Sequence, residues 1–280
     1  MDKVNKNYKK ILKNTFNAGV YFFALVGFLL TAGYFGVKLG LTNTRGIIDE
    51  QRKGFFEVEN PATPLNIEWN KSEEWVTLRE ALIKDSAVIN QVSLETGVEA
   101  RLIASVIVVE QLRLFHSDRE LFKKVFAPLK ILGTQSQFSW GVSGIKPDTA
   151  KTIENNLKDN SSPYYLGKSF EEKLNFKTEN IDEERFARMT DYKERYFSYL
   201  YTALLMKQVQ TQWARAGFPI EKNIGVVTTL FNIGFERSNP KPNPNIGGAE
   251  IKIEGKNYSF GGLAEEFYYS NELLDVFPKR

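Results

Sequence analysis

The chain has 280 residues, 42% of them apolar and 25% charged, with a net charge of +3. That is enough for a full hydrophobic core in one large or two small domains, and the basic residues are too evenly interleaved with acids to point to nucleic acid. With no cysteine and a single histidine, His116, thiol catalysis, disulfides, thiolate zinc and multi-histidine metal sites are excluded, and a Ser-His-Asp triad would have to use His116, which reads as a surface residue.

Residues 1–15 are basic, with Lys3, Lys6, Lys9, Lys10 and Lys13. Residues 16–37 then carry no charge, a run long enough to cross the ~30 Å hydrocarbon layer as one helix. Positive charge ahead of a first span keeps the N-terminus cytoplasmic and exports the remainder of the chain. Thr31-Ala32-Gly33 resembles a signal-peptidase site, but the apolar run continues through Tyr34, Phe35, Gly36 and Val37, which favours a retained anchor in membrane lipid. Residues 38–72, with Pro61 and Pro64 and no sustained period, read as a tether.

Residues 73–280 form the expected folded domain. Trp75, Leu78, Ala81, Leu82 and Ile89 recur at helical steps, a second helix covers 87–95, and Gly97 breaks it. A third starts near Glu99 and runs through Leu102, Ile103, Val106 and Val109 to Glu110. Pro147 opens a fourth helix. Residues 159–182 read as a polar inserted loop, followed by one long helix over 183–216 that Gly217 and Pro219 stop. An apolar helix covers 223–232. Residues 250–261 alternate around Gly255 like a small hairpin, and Leu263, Phe267, Leu273 and Leu274 suggest a short closing helix. The expected class is mainly α with a small β-hairpin near the C-terminus, preceded by one N-terminal transmembrane helix.

Glu110 carries the chemistry in this pattern. It lies one helix face from Ile103 and Val106, on the side that should be core. A carboxyl desolvated there has a raised pKa and can act as a proton donor near neutral pH. The plainer alternative is a helix-end acid paired with Arg113. Asn232, inside an apolar run before Gly234, either orients a ligand or ends a helix. Phe138, Trp140, Tyr164 and Tyr165 are candidate stacking platforms or ordinary core.

Three segments, in order, resemble the lysozyme-like fold of lytic transglycosylases and goose-type lysozymes. Glu95-Thr-Gly-Val-Glu-Ala-Arg-Leu-Ile-Ala-Ser-Val-Ile-Val-Val-Glu110 is similar to that family's apolar helix ending in its catalytic Glu. Ser139-Trp-Gly-Val-Ser-Gly-Ile-Lys-Pro-Asp-Thr-Ala150 is similar to its Ser-x-Gly-Leu-Met-Gln-Ile-x-Pro-x-Thr-Ala. Val227-Thr-Thr-Leu-Phe-Asn-Ile-Gly234 is similar to its Ala-Ala-Tyr-Asn-Ala-Gly. The overlap covers about residues 94–234. Gln111 stands where the family has Ser, Gly144 where it has Gln, and Phe231 where it has Tyr.

The resemblance implies a lysozyme-like α domain that cleaves peptidoglycan glycan strands outside the cytoplasmic membrane, with no cofactor or metal. Glu110 would be the general acid and base, with Ser139, Trp140, Gly141, Gly144, Phe231 and Asn232 binding substrate. One acid without a partner to hold water implies a 1,6-anhydro product, whereas a hydrolase needs a second carboxylate. Glu95, Glu99, Asp118 and Glu120 are the candidates for that second acid, and each reads more simply as a cap or surface residue. The rival expectation is a non-catalytic module that keeps the fold to bind glycan or a protein partner.

Overall fold

A computed structural model of the chain describes residues 17, 21, 24, 27, 28, 69–115, 142–191, 193–253 and 255–279. The chain divides into two units, Met1–Lys53 and Gly54–Arg280. In the first, the described residues Asn17, Tyr21, Ala24, Gly27 and Phe28 are all helical and exposed. The rest of the predicted span 16–37 lies outside the described residues. Among the described residues no helix is long and apolar enough to cross a membrane.

The second unit is mainly helical. Its described residues form α1 (Glu73–Lys84), α2 (Ser86–Thr96), α3 (Ala100–Phe115), α4 (Pro147–Lys158), α5 (Ile181–Thr190), α6 (Tyr196–Arg215), α7 (Ile224–Ile233) and α8 (Phe260–Tyr269). Strands β1 (Glu250–Ile253) and β2 (Lys256–Ser259) pair antiparallel, with Glu250 opposite Ser259 and Ile253 opposite Lys256. Local chemistry sets the helix ends. The Ser72 hydroxyl accepts from the Trp75 N–H at 3.2 Å and starts α1. Asn223 does the same for Val226 at 3.1 Å and starts α7. Gly97, at φ 72°, ends α2 in the left-handed conformation that glycine adopts without strain.

Helix α3 is the hub, packed against α1, α2, α6, α7, α8 and β1. That explains its composition, since a helix with neighbours on every side must be apolar all round. Ile103, Val106, Val108 and Val109 are fully buried. So is Arg101, which forms no ion pair with a carboxylate among the described residues. Its Nε donates to the Tyr268 carbonyl at 2.7 Å, Nη1 to Glu272 and Phe277, and Nη2 to Phe267 and Ser270, these four at 2.9 Å. All the guanidinium N–H groups are thereby used, several on the carbonyl end of α8, where the helix dipole favours a cation. Burial lowers the guanidinium's pKa, yet arginine remains charged.

Three tyrosines of α6 fasten the other layer. Tyr196 donates to Glu95 at 2.7 Å, and Tyr199 to Asp85 and Tyr201 to Glu154, both at 2.5 Å. Each carboxylate also meets a cation, Lys173, Arg195 and Arg185 respectively. Burial, reinforced by the carboxylate, pushes all three phenols well above their ordinary value. Each remains a hydrogen-bond donor.

Four expectations change. The predicted helix 183–216 is two helices, because the Asp191 side chain accepts from the N–H groups of Lys193 and Glu194 at 2.8 and 3.1 Å. This local turn replaces helical bonds between α5 and α6. The predicted tether stops short of residue 72, since Trp69 is fully buried and packs edge-on against Trp75 at 4.9 Å. The inserted loop 159–182 is packed down: Leu174 is buried, and Arg215 donates to the carbonyls of Ser162, Pro163 and Tyr165. The closing helix ends at Tyr269, and Leu273, at φ 53°, reaches the core from the turn beyond it.

Candidate functional site

Glu110 sits on the last turns of α3 with 3% of its surface exposed, buried as its place on the apolar face requires. It is not alone. Arg113, one turn on, donates through Nε at 3.1 Å and Nη2 at 2.5 Å, both to Oε2. The Arg113 side chain is 18% exposed against 4% for that of Glu110, so the pair is sealed on the acid's side and reaches solvent on the base's. Among the described residues no donor reaches Oε1. The plainer alternative of an Arg113 pair is therefore realised together with the buried position.

The second motif comes to the same carboxylate. Gly144 has φ 63°, and a Cβ placed on it would lie 3.0 Å from Glu110 Oε2 and 3.2 Å from Cδ. Glycine is favoured there twice, by the left-handed backbone and by the tight contact. The turn that carries it is pinned from both sides: Gln111 Nε2 donates to the Val142 carbonyl at 2.5 Å, and the Val142 N–H donates to Ser198 Oγ at 3.2 Å. Gln111, marked in the sequence only by its difference from the family's Ser, is thus a positioning residue for Gly144. The neighbouring Ser143 hydroxyl is buried and has no partner among the described residues. Ser139, Trp140, Gly141, Phe138, His116, Asp118 and Glu120 lie outside the described residues.

The third motif serves the fold. Phe231 is buried and stacks on Phe260, ring centres 6.3 Å apart. Without the hydroxyl of the family's Tyr, this ring has no polar group to keep it at a surface, and it joins the α7–α8 core. Asn232 Oδ1 accepts from the Ala249 N–H at 2.8 Å and so ties the loop before β1 to the end of α7. This assigns that oxygen to the scaffold. Tyr164 donates to the Phe235 carbonyl at 3.2 Å, and Tyr165 to Glu171 at 2.5 Å. Both hold the inserted loop.

The two described candidates for a second acid are engaged as well. Tyr196 and Gln91 hold the Glu95 carboxyl below its usual range, and Glu99 accepts from Tyr268 at 2.5 Å. A cleft of about 310 Å³ opens by Glu99 and Leu102, at the opposite end of α3. It is about 12 Å along the axis from Glu110 at ~1.5 Å per residue. Its polar wall, Lys207, Gln210 and Thr211 of α6, is a set that sequence reasoning missed; the available signal was their spacing at i, i+3 and i+4 in a largely apolar helix. No protein-family model matches the chain, and comparisons with curated proteins and with solved structures also find no match.

Proposed function

We propose that this chain is a membrane-anchored, lysozyme-like protein that cleaves peptidoglycan glycan strands, with Glu110 as general acid and base. The observation that carries the reading is the meeting of Glu110 with Gly144: the first two motifs, far apart in the chain, close on one carboxyl. In this mechanism Oε1, which Arg113 leaves open, gives a proton to the glycosidic oxygen of a MurNAc–GlcNAc β-1,4 bond. The C1–O bond breaks, the same carboxylate takes the proton of the muramoyl 6-hydroxyl, and that oxygen closes on C1. The product is a 1,6-anhydro ring, formed without water. Arg113, holding Oε2, orients the carboxyl. Ser139, Trp140 and Gly141 would bind the glycan, residues 16–37 would anchor the chain with the domain outside the cytoplasmic membrane, and the tether after them would confine cutting to within ~30 Å, its reach as a flexible coil.

A second reading has its own support. A carboxyl with 3% exposure, already paired with arginine, suits a structural ion pair in a non-catalytic module that binds glycan or a protein partner. Digestion of isolated sacculi by the full chain and by Glu110→Gln separates the two. Release of anhydro-muropeptides by the wild type alone supports catalysis. Binding without release by both proteins overturns it in favour of the module. Reducing ends in place of anhydro ends make the domain a hydrolase.

A further inference from the structure

Helix α6 spends its polar side chains on the protein almost without exception. Its three tyrosines bond carboxylates, Gln208 donates to the Ile153 carbonyl, Gln212 and Trp213 bond Ser238, and Arg215 holds the inserted loop. Lys207, Gln210 and Thr211 are different: none makes a side-chain hydrogen bond or ion pair with a described residue. All three are half-buried, and all three line the 310 Å³ cleft. At i, i+3 and i+4 they form one patch on one helix face.

The rest of the cleft sharpens the chemistry. Val98, Leu102 and Ile224 give it an apolar, buried floor. Of its other charged groups, Arg215 is committed to carbonyls and Glu99 to Tyr268. Lys207 lies over the Phe170 ring at 5.7 Å, and its desolvation lowers the ammonium's pKa while Glu221 partly offsets that. Glu221 stands exposed at the rim. One ammonium, one amide and one hydroxyl, side by side above an apolar floor with an acid at the edge, match a carboxylate carried on a small apolar body.

We propose that this cleft binds a small apolar amino acid, its carboxylate taken by Lys207, Gln210 and Thr211 and its ammonium facing Glu221. The inference is independent of the Glu110 reading, since it uses none of that site's residues. The test is titration of the methyl-labelled full chain in detergent micelles with leucine, N-acetylleucine and leucinamide, read at Val98, Leu102 and Ile224. Leucine is expected to shift these methyls saturably. N-acetylleucine, which stands for a peptide C-terminus, should bind up to about fivefold more weakly, the scale of one exposed charge contact; leucinamide should not saturate. Lys207→Met and, separately, Thr211→Val should weaken leucine binding with methyls elsewhere unmoved, and Glu221→Gln should bring leucine to the level of N-acetylleucine. N-acetylleucine binding more tightly than leucine would reassign the cleft to peptide ends and overturn the amino-acid proposal. Leucinamide binding as well as leucine, no saturable shift with leucine, or full binding by Lys207→Met would each overturn it outright.

Discussion

Gly144→Ala tests whether the first two motifs meet at Glu110. The new methyl would sit at φ 63°, 3.0 Å from Glu110 Oε2. The backbone conformation alone costs a non-glycine residue about 1–2 kcal/mol. The contact adds a second cost, because the Glu110 side chain must leave its rotamer and loosen its grip on Arg113, roughly 0.5–1.5 kcal/mol more. The sum, about 1.5–3.5 kcal/mol, should lower the midpoint by roughly 3–14 °C for a domain of this size. The two costs separate in a double-mutant cycle. In a Glu110→Ala background the methyl meets no carboxylate, so only the backbone cost remains and the alanine should be about 1 kcal/mol cheaper. Denaturant unfolding of the four proteins measures this directly. Equal costs for Gly144→Ala in both backgrounds would mean the carboxylate is not against Gly144, and the proposed site would lose its geometric basis.

Glu110→Gln should lower the rate of anhydro-muropeptide release by about 10²–10⁴, the usual worth of a positioned general acid; sacculus digestion followed by mass spectrometry reads it, and a near wild-type rate refutes the assignment. Arg101→Met should cost about 3 kcal/mol or more, because it strips the donor from the carbonyls of Tyr268, Ser270, Glu272 and Phe277, three of them in fully buried hydrogen bonds, while Phe267 keeps its bonds from Ser270. Its chain should be cut by protease beyond residue 267 in native buffer, and a stability within ~1 kcal/mol of wild type would refute that account. Glu265→Gln tests pH linkage. Burial raises the Glu265 pKa in the folded state above 4.5, outweighing the Gly225 N–H bond that lowers it. Its stabilising contribution is therefore present below pH 4.5 and lost as pH rises through the folded value. The glutamine variant should match wild type at low pH and gain on it towards pH 7; a constant difference across that range counts against the burial.

Much of the helical frame was legible from period and punctuation. Gly97, Pro147 and Gly217 mark ends with local causes, and the alternation around Gly255 is a hairpin because a glycine at φ 80° suits its turn. The break between α5 and α6 was not legible, because Asp191 looks like any polar helix residue until its side chain is seen to take the N–H groups of Lys193 and Glu194. Trp69 was assigned to the tether for a similar reason: its partners Trp75 and Phe267 include one from the far end of the chain. In the site, burial of Glu110 followed from its helix face, and its pairing with Arg113 from spacing. That Gly144 would close on the carboxylate rested on motif order alone, and that Phe231 would turn into the core depended on Phe260, which no local pattern reveals.

Burial on α3 does not by itself mark a functional residue, since its packed surroundings bury polar and apolar side chains alike. Three polar groups on it are sealed, and they differ in what holds them. Ser105 bonds the Arg101 carbonyl of its own helix at 2.7 Å and can change partner only by distorting α3. Arg101 is spent on the carbonyls of residues 267–277, and those cannot leave without unfolding the end of the chain. Glu110 is held through one oxygen by a single arginine side chain, on a flexible stem that already reaches solvent. Replacing that partner needs only a rotamer change. Of the three buried polar groups, Glu110 alone can exchange a protein contact for a ligand while the fold stands, which is what a general acid inside a packed helix has to do.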